Sequence, residues 1–283
     1  MSKLLDACID LGVDTNPAIL NGLGIVPLFS WYHESFDREM DLQGIRIPSL
    51  EMSHRRCLRL LGFDTDSSNA VTIGEGGCSL VCKDFHACKW PGDLSNEGAS
   101  LALFFDAMNE KNNIIIEKIR RTCSQIITFS HFVPSFSLFV IFVNGTMCFA
   151  WCVHRLELCP EKRMLFYPKL PKIIGSDYLE DRIRSIHGSK ETTSACHVFG
   201  HTHFCWDLVL DGIRYVQAPL AYPRERKRRM NGGENWLPFC IYSNGRFAHK
   251  LTPCYWSDYY AANPRSPHDT QLAPWVAKFY KRN

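Results

Sequence analysis

Three histidines that directly follow apolar segments are the residues of this chain best suited to bind a metal ion. His201 and His203 lie in Gly200-His-Thr-His, which comes after Ala195-Cys-His-Val-Phe, and His131 follows Ile126-Ile-Thr-Phe-Ser. Two imidazoles two residues apart at a strand end can both reach one metal site. An isolated His-x-His is equally consistent with ordinary surface or core histidines. Three histidines at the strand ends of one α/β domain instead favour a metal site at the carboxyl edge of a sheet.

The elements that would position these histidines alternate between helices and strands, which predicts an α/β (α+β layered) architecture. Apolar runs predict strands near residues 25–32, 126–130, 195–200, 214–217, 237–242 and 247–252. Amphipathic patterns predict helices near residues 2–11, 49–61, 97–110, 114–122 and 178–186. Asn244-Gly is typical of a two-residue hairpin turn. The aromatic, proline-containing tail from Tyr255 is interpreted as ordered coil.

The composition excludes several classes of protein. The 283 residues are 46% hydrophobic and 22% charged, which excludes a disordered chain, a collagen-like chain and a long coiled coil. The net charge of +3, from 32 basic and 29 acidic residues, is too balanced to indicate nucleic acid or an anionic membrane as a partner. Thirteen scattered cysteines are interpreted as mostly reduced thiols. We therefore expect an intracellular, reducing compartment, with the cytoplasm favoured and an organelle left open.

The histidine motifs also fit a known family in order and spacing. Gly200-His-Thr-His after its apolar strand, and Ser130-His-Phe-Val-Pro before it, resemble the two C-terminal motifs of the calcineurin-like metallophosphoesterases. Val216-Gln-Ala-Pro-Leu-Ala-Tyr-Pro is similar to the family's segment beyond its Gly-His-x-His motif. The resemblance covers most of residues 1–280, with gaps. It implies a four-layer αββα sandwich, forming a single domain over residues 1–283, and hydrolysis of a phosphate ester at a dinuclear metal centre.

The resemblance further implies a role for each histidine. His131 and His201 would ligate one metal ion, and His203 would ligate the other. The implied cofactors are two divalent metal ions, Mn, Fe, Zn or Mg, and the implied partner is a phosphorylated substrate whose class stays open. Neutral imidazole suits Zn, Fe and Mn. Two ions roughly 3.5–4 Å apart clamp the attacking and leaving oxygens and lower the pKa of bound water.

A basic run, Arg224-Glu-Arg-Lys-Arg-Arg, follows Tyr222-Pro. A concentration of positive charge near a metal cleft raises the local concentration of a phosphorylated substrate. Arg224 and Arg226 are therefore the predicted substrate-binding residues. A nuclear-import-like patch and an ordinary solvated loop are alternatives that the sequence leaves open.

The chain also departs from the family pattern. The family's upstream motifs are Asp-x-His, Gly-Asp-x-x-Asp and Gly-Asn-His-Asp or -Glu, and none of them is identified in this chain. They would supply the bridging aspartate, the asparagine ligand and the histidine that protonates the leaving group. We therefore expect an N-terminally truncated domain that binds metal poorly, because ordinary metal sites have three or four protein ligands. Catalysis by this chain is expected to be impaired. The alternative function is a catalytically inactive binding or regulatory remnant of the same fold.

Residues 136–153 contain no charged side chain. The family passes almost directly from Ser-His-x-x-Pro to a segment like Leu156-Glu-Leu-Cys, so residues 136–155 are interpreted as an insertion. A membrane-spanning helix is disfavoured by the central Asn144-Gly, whereas a β-hairpin would place its turn there. Translated intron sequence is the interpretation we favour. An anchor formed by these residues would give a third function, a membrane-associated protein, although no membrane partner is expected.

Overall fold

The computed structural model describes residues 2–42, 87–96, 98–134, 136–139, 152–155, 157–188, 194–226, 238–249 and 254–281. Within these ranges the chain forms one six-stranded sheet, three two-stranded ribbons and seven helices. The predicted helix near residues 49–61 lies outside the described residues. The described sheet and helices confirm the α/β layered architecture.

The strands are, in chain order, β1 (Ala18–Leu20), β2 (Leu23–Pro27), β3 (Gln125–Phe129), β4 (Val133–Pro134), β5 (Phe136–Phe139), β6 (Cys152–Arg155), β7 (Gly175–Ser176), β8 (Ala195–Val198), β9 (Trp206–Leu210), β10 (Ile213–Gln217), β11 (Tyr242–Ser243) and β12 (Arg246–Phe247). The central sheet has the order β1-β2-β3-β8-β10-β9. Its four inner strands are parallel, and the edge strands β1 and β9 pair antiparallel with their neighbours. The carboxyl ends of β3, β8 and β10 therefore meet at one edge of the sheet.

The helices are α1 (Ser2–Asp10), α2 (Ser100–Met108), α3 (Asn113–Thr122), α4 (Asp177–His187), α5 (Pro223–Arg226), α6 (Tyr255–Ala262) and α7 (Pro274–Lys281). A short 3-10 turn, Asn109–Asn112, separates α2 from α3, where the sequence predicts a break. Gly188 follows α4 with a φ of +61° and a ψ of −146°, a backbone conformation that is open essentially to glycine alone.

The two faces of the central sheet are covered differently. Ile126 on β3 and Ala195 on β8 belong to the main core, together with isoleucines of α3 and α4. The next residue on each strand, Ile127 and Cys196, belongs to a second, smaller core that includes side chains of β11 and β12. Successive side chains of a strand point to opposite faces. Strands that are apolar on both faces are typical of parallel sheets covered on both sides.

The tail beyond Tyr255 is helical, so the prediction of ordered coil is wrong. It forms α6 and α7, and the side chains of Trp256 and Val276 are only 2% and 0% exposed. Pro274 is the first residue of α7, a position that favours proline because its missing N–H has no partner within the helix. The proline and the aromatic residues that suggested coil therefore have roles in helices: Pro274 begins α7, and the aromatic side chains pack against the core.

The hairpin formed by β11 and β12 has the predicted turn. Tyr242 pairs with Phe247 and Ser243 with Arg246, which leaves Asn244 and Gly245 as the two turn residues. Their φ angles are +51° and +75°, as a type I′ turn requires. The strands themselves are two residues each, shorter than the sequence predicts.

The ends of the proposed insertion pair with each other. β5 and β6 form a separate antiparallel ribbon in which Phe136 pairs with Arg155 and Phe139 with Cys152, as the hairpin interpretation predicts. Residues 140–151, including the predicted turn at Asn144-Gly, lie outside the described residues. None of the helices among the described residues combines the length and the hydropathy that crossing a membrane requires.

Candidate functional site

The carboxyl edge of the central sheet brings His131 and His201 together. They follow β3 and β8, which are parallel neighbours. Nδ1 of His201 lies 3.2 Å from Nε2 of His131, and the two ring centroids are 5.1 Å apart. These residues are 70 positions apart in the chain, so the fold alone creates the pair. We call them the outer histidine pair, and their role as metal ligands stays a prediction.

Hydrogen bonds from three strands hold the loop that contains His201. The backbone N–H of Gly200 donates to the carbonyl oxygen of His131 at 3.0 Å. Gln217, fully buried at the end of β10, donates through Nε2 to the carbonyl oxygen of Gly200 at 2.9 Å. Its Oε1 accepts a hydrogen bond from Oγ1 of Thr202, also at 2.9 Å. The ends of β3, β8 and β10 thereby fix one loop conformation.

The loop is strained at both of its histidines. His201 and His203 have φ angles of +71° and +58°, in the left-handed region that costs an L-residue about 1–2 kcal/mol. Such conformations persist only where the surrounding structure imposes them, and they cluster at functional sites. The strain therefore supports a functional role for this loop, independently of the identity of its side chains.

Phe132 fixes the orientation of both outer imidazoles. It is 4% exposed, and its ring centroid lies 5.1 Å from that of His131 and 4.7 Å from that of His201. Trp31 and Tyr32 pack against Phe132 in turn, with centroid distances of 5.2 and 5.5 Å. Interlocking aromatic rings of this kind restrict the imidazoles to one arrangement.

The hydrogen bonds of His201 determine which of its nitrogens can bind a metal. Nε2 lies 3.0 Å from the carbonyl oxygen of Ile173. A carbonyl only accepts, so Nε2 carries the proton and Nδ1 keeps its lone pair. Histidines that bind metals commonly donate their other N–H to a backbone carbonyl in this way.

The separation of the outer pair fits two positions of a metal site. Zn–N bonds of about 2.0–2.1 Å at a tetrahedral angle separate two ligand nitrogens by roughly 3.3–3.4 Å. The observed separation between His131 and His201 is 3.2 Å. The same distance also accommodates a direct N–H···N hydrogen bond from His131 to His201.

His203 takes a different partner. Its Nδ1 lies 3.0 Å from Oε2 of Glu225, and the same carboxylate oxygen accepts a hydrogen bond from the backbone N–H of Tyr222 at 2.8 Å. Glu225 lies in α5, which begins just after the end of β10. The second histidine of the loop is therefore paired with a carboxylate on α5 rather than with the outer pair.

The predicted substrate-binding arginines lie in the same short helix. Arg224 and Arg226 flank Glu225 in α5, which places their backbone beside His203. The side chain of Arg224 lies outside the described residues, and so do residues 227–229 of the basic run. Substrate binding by either arginine stays a prediction.

The described residues contain no group of three or more His, Cys, Asp or Glu side chains arranged to hold a metal ion. As metal ligands, the outer pair would number two, fewer than the three or four of ordinary sites. The expectation that the chain contains no Asp-x-His motif is wrong: Asp84-Phe-His is one, and it lies outside the described residues.

A second pair of histidines, which sequence reasoning missed, is buried directly behind the first. His187 and His197 are 1% and 0% exposed. Oγ1 of Thr128 lies 3.0 Å from Nε2 of His187 and 2.8 Å from Nδ1 of His197. Oγ of Ser130 lies 3.1 Å from Nε2 of His197. We call His187 and His197 the buried histidine pair.

The environment of His197 favours its neutral form. Burial, and secondarily the nearby His187, lower the pKa of His197 well below its ordinary value. The sequence could have indicated this network, because Thr128 and His197 are polar residues that interrupt two apolar runs. They occupy partner positions in the β3–β8 register.

A serine, a histidine and an aspartate also meet elsewhere, but their hydrogen bonds are unsuited to nucleophilic catalysis. The backbone N–H of Asp177 donates to Nε2 of His33 at 3.3 Å, so the proton of His33 lies on Nδ1. That nitrogen is 2.9 Å from Oγ of Ser35 and donates to it instead of accepting its proton. His33 is 2% exposed, and burial lowers its pKa. The group links the segment around Ser35 to the start of α4.

Comparison with known proteins adds little to this geometry. No family model matches the chain, and no curated protein matches it. Among solved structures, the chain is similar to the crystal structure of the phosphopantetheinyl hydrolase of Mycobacterium tuberculosis, with 17% identity and a TM-score of 0.44. The similarity covers 86% of this chain and 69% of that chain. This level of similarity assigns neither an activity nor a site residue.

Proposed function

We propose that this chain is a metallophosphoesterase-type hydrolase domain of low turnover, in which His131 and His201 hold one divalent metal ion. The observation that carries the proposal is the 3.2 Å separation of the two imidazole nitrogens at the sheet edge. The bond from His201 to the carbonyl of Ile173 supports it, because this bond leaves Nδ1 able to bind a metal. The substrate class is a phosphate ester.

Residues of this chain would have three roles: binding the metal ion, holding its ligands in position and attracting the substrate. His131 and His201 bind the ion, for which the family resemblance implies Mn, Fe, Zn or Mg. A divalent ion bound there supplies a Lewis acid for a phosphoryl oxygen and lowers the pKa of a bound water. Phe132 and the Gln217–Gly200 bond keep the imidazoles in place. Arg226, on the helix beside His203, would attract the negatively charged ester.

A second candidate function is a binding or regulatory domain without turnover. The observation that favours it is the contact between His203 and Glu225, which occupies the histidine that would otherwise serve a second ion. Two cations without a bridging carboxylate would also repel each other. The two candidates predict the same metal affinity and differ only in the rate of hydrolysis.

Zinc titration of a chain without a histidine tag tests the metal site. We expect one ion per chain, with an affinity reduced at least about tenfold in His201→Ala and in His131→Ala because each removes one of two ligands. His203→Ala and His268→Ala, which replaces an exposed histidine between α6 and α7, are the matched controls and should leave the affinity unchanged. Equal losses in all four variants would refute the site.

Hydrolysis of bis(4-nitrophenyl) phosphate with added manganese then separates the two candidates. A slow metal-dependent rate that disappears in His201→Ala supports the hydrolase. Metal binding with no rate above the buffer background supports the binding domain. A chain that binds no metal rules out both candidates as stated.

A further inference from the structure

Two buried cysteines face each other where strand β9 meets helix α6. The Sγ atoms of Cys205 and Cys254 are 3.1 Å apart, and the two residues are 2% and 0% exposed. They are 49 positions apart in the chain, so only the tertiary fold brings them together. The eight cysteines whose side chains the structure describes are all thiols.

The backbones around the two thiols are locked in register. The N–H of Trp256 donates to the carbonyl oxygen of Cys205 at 3.3 Å. The N–H of Asp207 donates to Oγ of Ser257 at 2.6 Å. Both bonds join residues within three positions of the cysteines, and they hold the start of β9 against the start of α6. A disulfide needs the sulfurs to approach to about 2.05 Å, which small side-chain rotations within this frame provide.

We propose that Cys205 and Cys254 are a redox modification site that forms a reversible disulfide bond. The bond joins Cys205, two positions after His203, to Cys254, which immediately precedes α6. It closes a loop that contains β9, β10 and the β11–β12 hairpin. The proposal is independent of metal binding by the outer histidine pair.

The reaction requires a two-electron oxidant, for which hydrogen peroxide is sufficient. One thiol sulfur attacks a peroxide oxygen, the O–O bond breaks, and a sulfenic acid and one water form. The second sulfur attacks the sulfenic sulfur, and the displaced hydroxyl leaves as a second water with the remaining thiol proton. Two S–H bonds are replaced by one S–S bond, and one peroxide becomes two waters.

Burial sets the rates of this reaction. Thiols that are 2% and 0% exposed meet an oxidant only when the contact between β9 and α6 opens. For the same reason, the disulfide is shielded from reductants once it has formed. We therefore expect slow oxidation and slow reduction in the folded protein, and faster exchange under conditions that loosen α6.

Peptide mapping of the reduced, full chain after oxidation tests the proposal. One sample is treated with hydrogen peroxide and a second with oxidised glutathione, and the remaining thiols are blocked with N-ethylmaleimide in denaturant. Trypsin should then release residues 191–214 linked to residues 251–265. Cys196 shares the first peptide and belongs to the same core, so Cys196→Ala is the matched control and should retain the link.

Thermal unfolding provides the second readout. Oxidation should raise the Tm by roughly 5 °C or more, because the cross-link restricts the unfolded chain. Dithiothreitol should reverse the shift, and Cys254→Ala should not show it. Complete labelling of both cysteines after both oxidants, a link that uses Cys196, or the same Tm shift in Cys254→Ala would each overturn the proposal.

Discussion

The outer histidine pair follows strands β3 and β8, and the buried pair contacts Thr128 within β3, yet the two pairs have different chemistry. His131 and His201 follow β3 and β8, whereas His197 lies within β8 and contacts Thr128 of β3. In the outer pair, nitrogen faces nitrogen across 3.2 Å. In the buried pair, hydroxyl groups bond both ring nitrogens of His197.

The difference shows that position along a strand decides what an imidazole does. Within the core, desolvation penalises the charged form, so the pKa of His197 is lowered and the side chain serves as a neutral hydrogen-bonding element. At the sheet edge, His131 is exposed and can exchange a hydrogen bond for a ligand. The following predictions test this contrast.

The largest expected effect is the loss of stability on replacement of the buried histidine. His197→Ala should lower the free energy of unfolding by about 2–4 kcal/mol, because it leaves a cavity and removes one hydrogen-bond partner from each of two hydroxyl groups. His131→Ala should change it by less than about 0.5 kcal/mol, as exposed substitutions usually do. Urea denaturation measures both values. Similar losses in the two variants would contradict the contrast.

A buried carboxyl group on α4 sharpens the comparison through pH. Burial raises the pKa of Glu180 to about 7, against the opposing effect of Arg184. Between its ordinary value near 4.5 and 7, the folded chain binds more protons than the unfolded chain. Stability from this group is therefore present at low pH and is lost as the pH rises through that range, by on the order of 3 kcal/mol.

Glu180→Gln should remove this dependence. The stability of the wild type relative to the variant is expected to fall between pH 5 and pH 8, as measured by denaturation at each pH. His197 acts with the opposite sign, since a lowered histidine pKa makes stability fall as the pH drops below about 6.5. A difference between wild type and variant that stays constant with pH would show that Glu180 has an ordinary pKa.

The hydroxyl group that joins the buried pair should have an intermediate effect. Thr128→Val removes the atom that contacts both His187 and His197, and should cost about 1–3 kcal/mol. Thr122→Val is the matched control, because the hydroxyl of Thr122 donates to the carbonyl of Lys118 on an exposed helix face. Thr122→Val should lower the free energy of unfolding by less than about 0.5 kcal/mol. Chemical denaturation measures both variants, and similar losses in the two would argue against the network.

The smallest expected effect on either histidine pair comes from removal of residues 136–155. β5 and β6 form a ribbon separate from the central sheet, so zinc affinity should change by less than about twofold. The deletion variant should be more soluble, because it loses an uncharged segment and its strand edges. Light scattering and zinc titration measure the two results. Loss of the helical circular dichroism signal would instead show that the segment is required by the fold.

Local sequence patterns were sufficient for the framework of the site. Apolar runs located β3 and β8, and the glycine and histidine residues after them located the outer pair. Asn244-Gly located a turn whose φ angles are both positive. These features depend on neighbouring residues, because strand periodicity and turn geometry are properties of a few consecutive positions.

Contacts between distant residues were decided only by the tertiary structure. The sequence did not show that the carboxylate of Glu225 contacts His203. It also did not show that Thr128 contacts two buried histidines 59 and 69 positions away, or that Cys254 faces Cys205. It also failed for α6 and α7, whose side chains Trp256 and Val276 pack into the main core of the protein. A side chain's protonation, partner and burial depend on atoms that other strands and helices place around it. The sequence therefore determined where the histidines of the outer pair lie along the chain. The packing at the edge of the sheet determined their partners and their protonation.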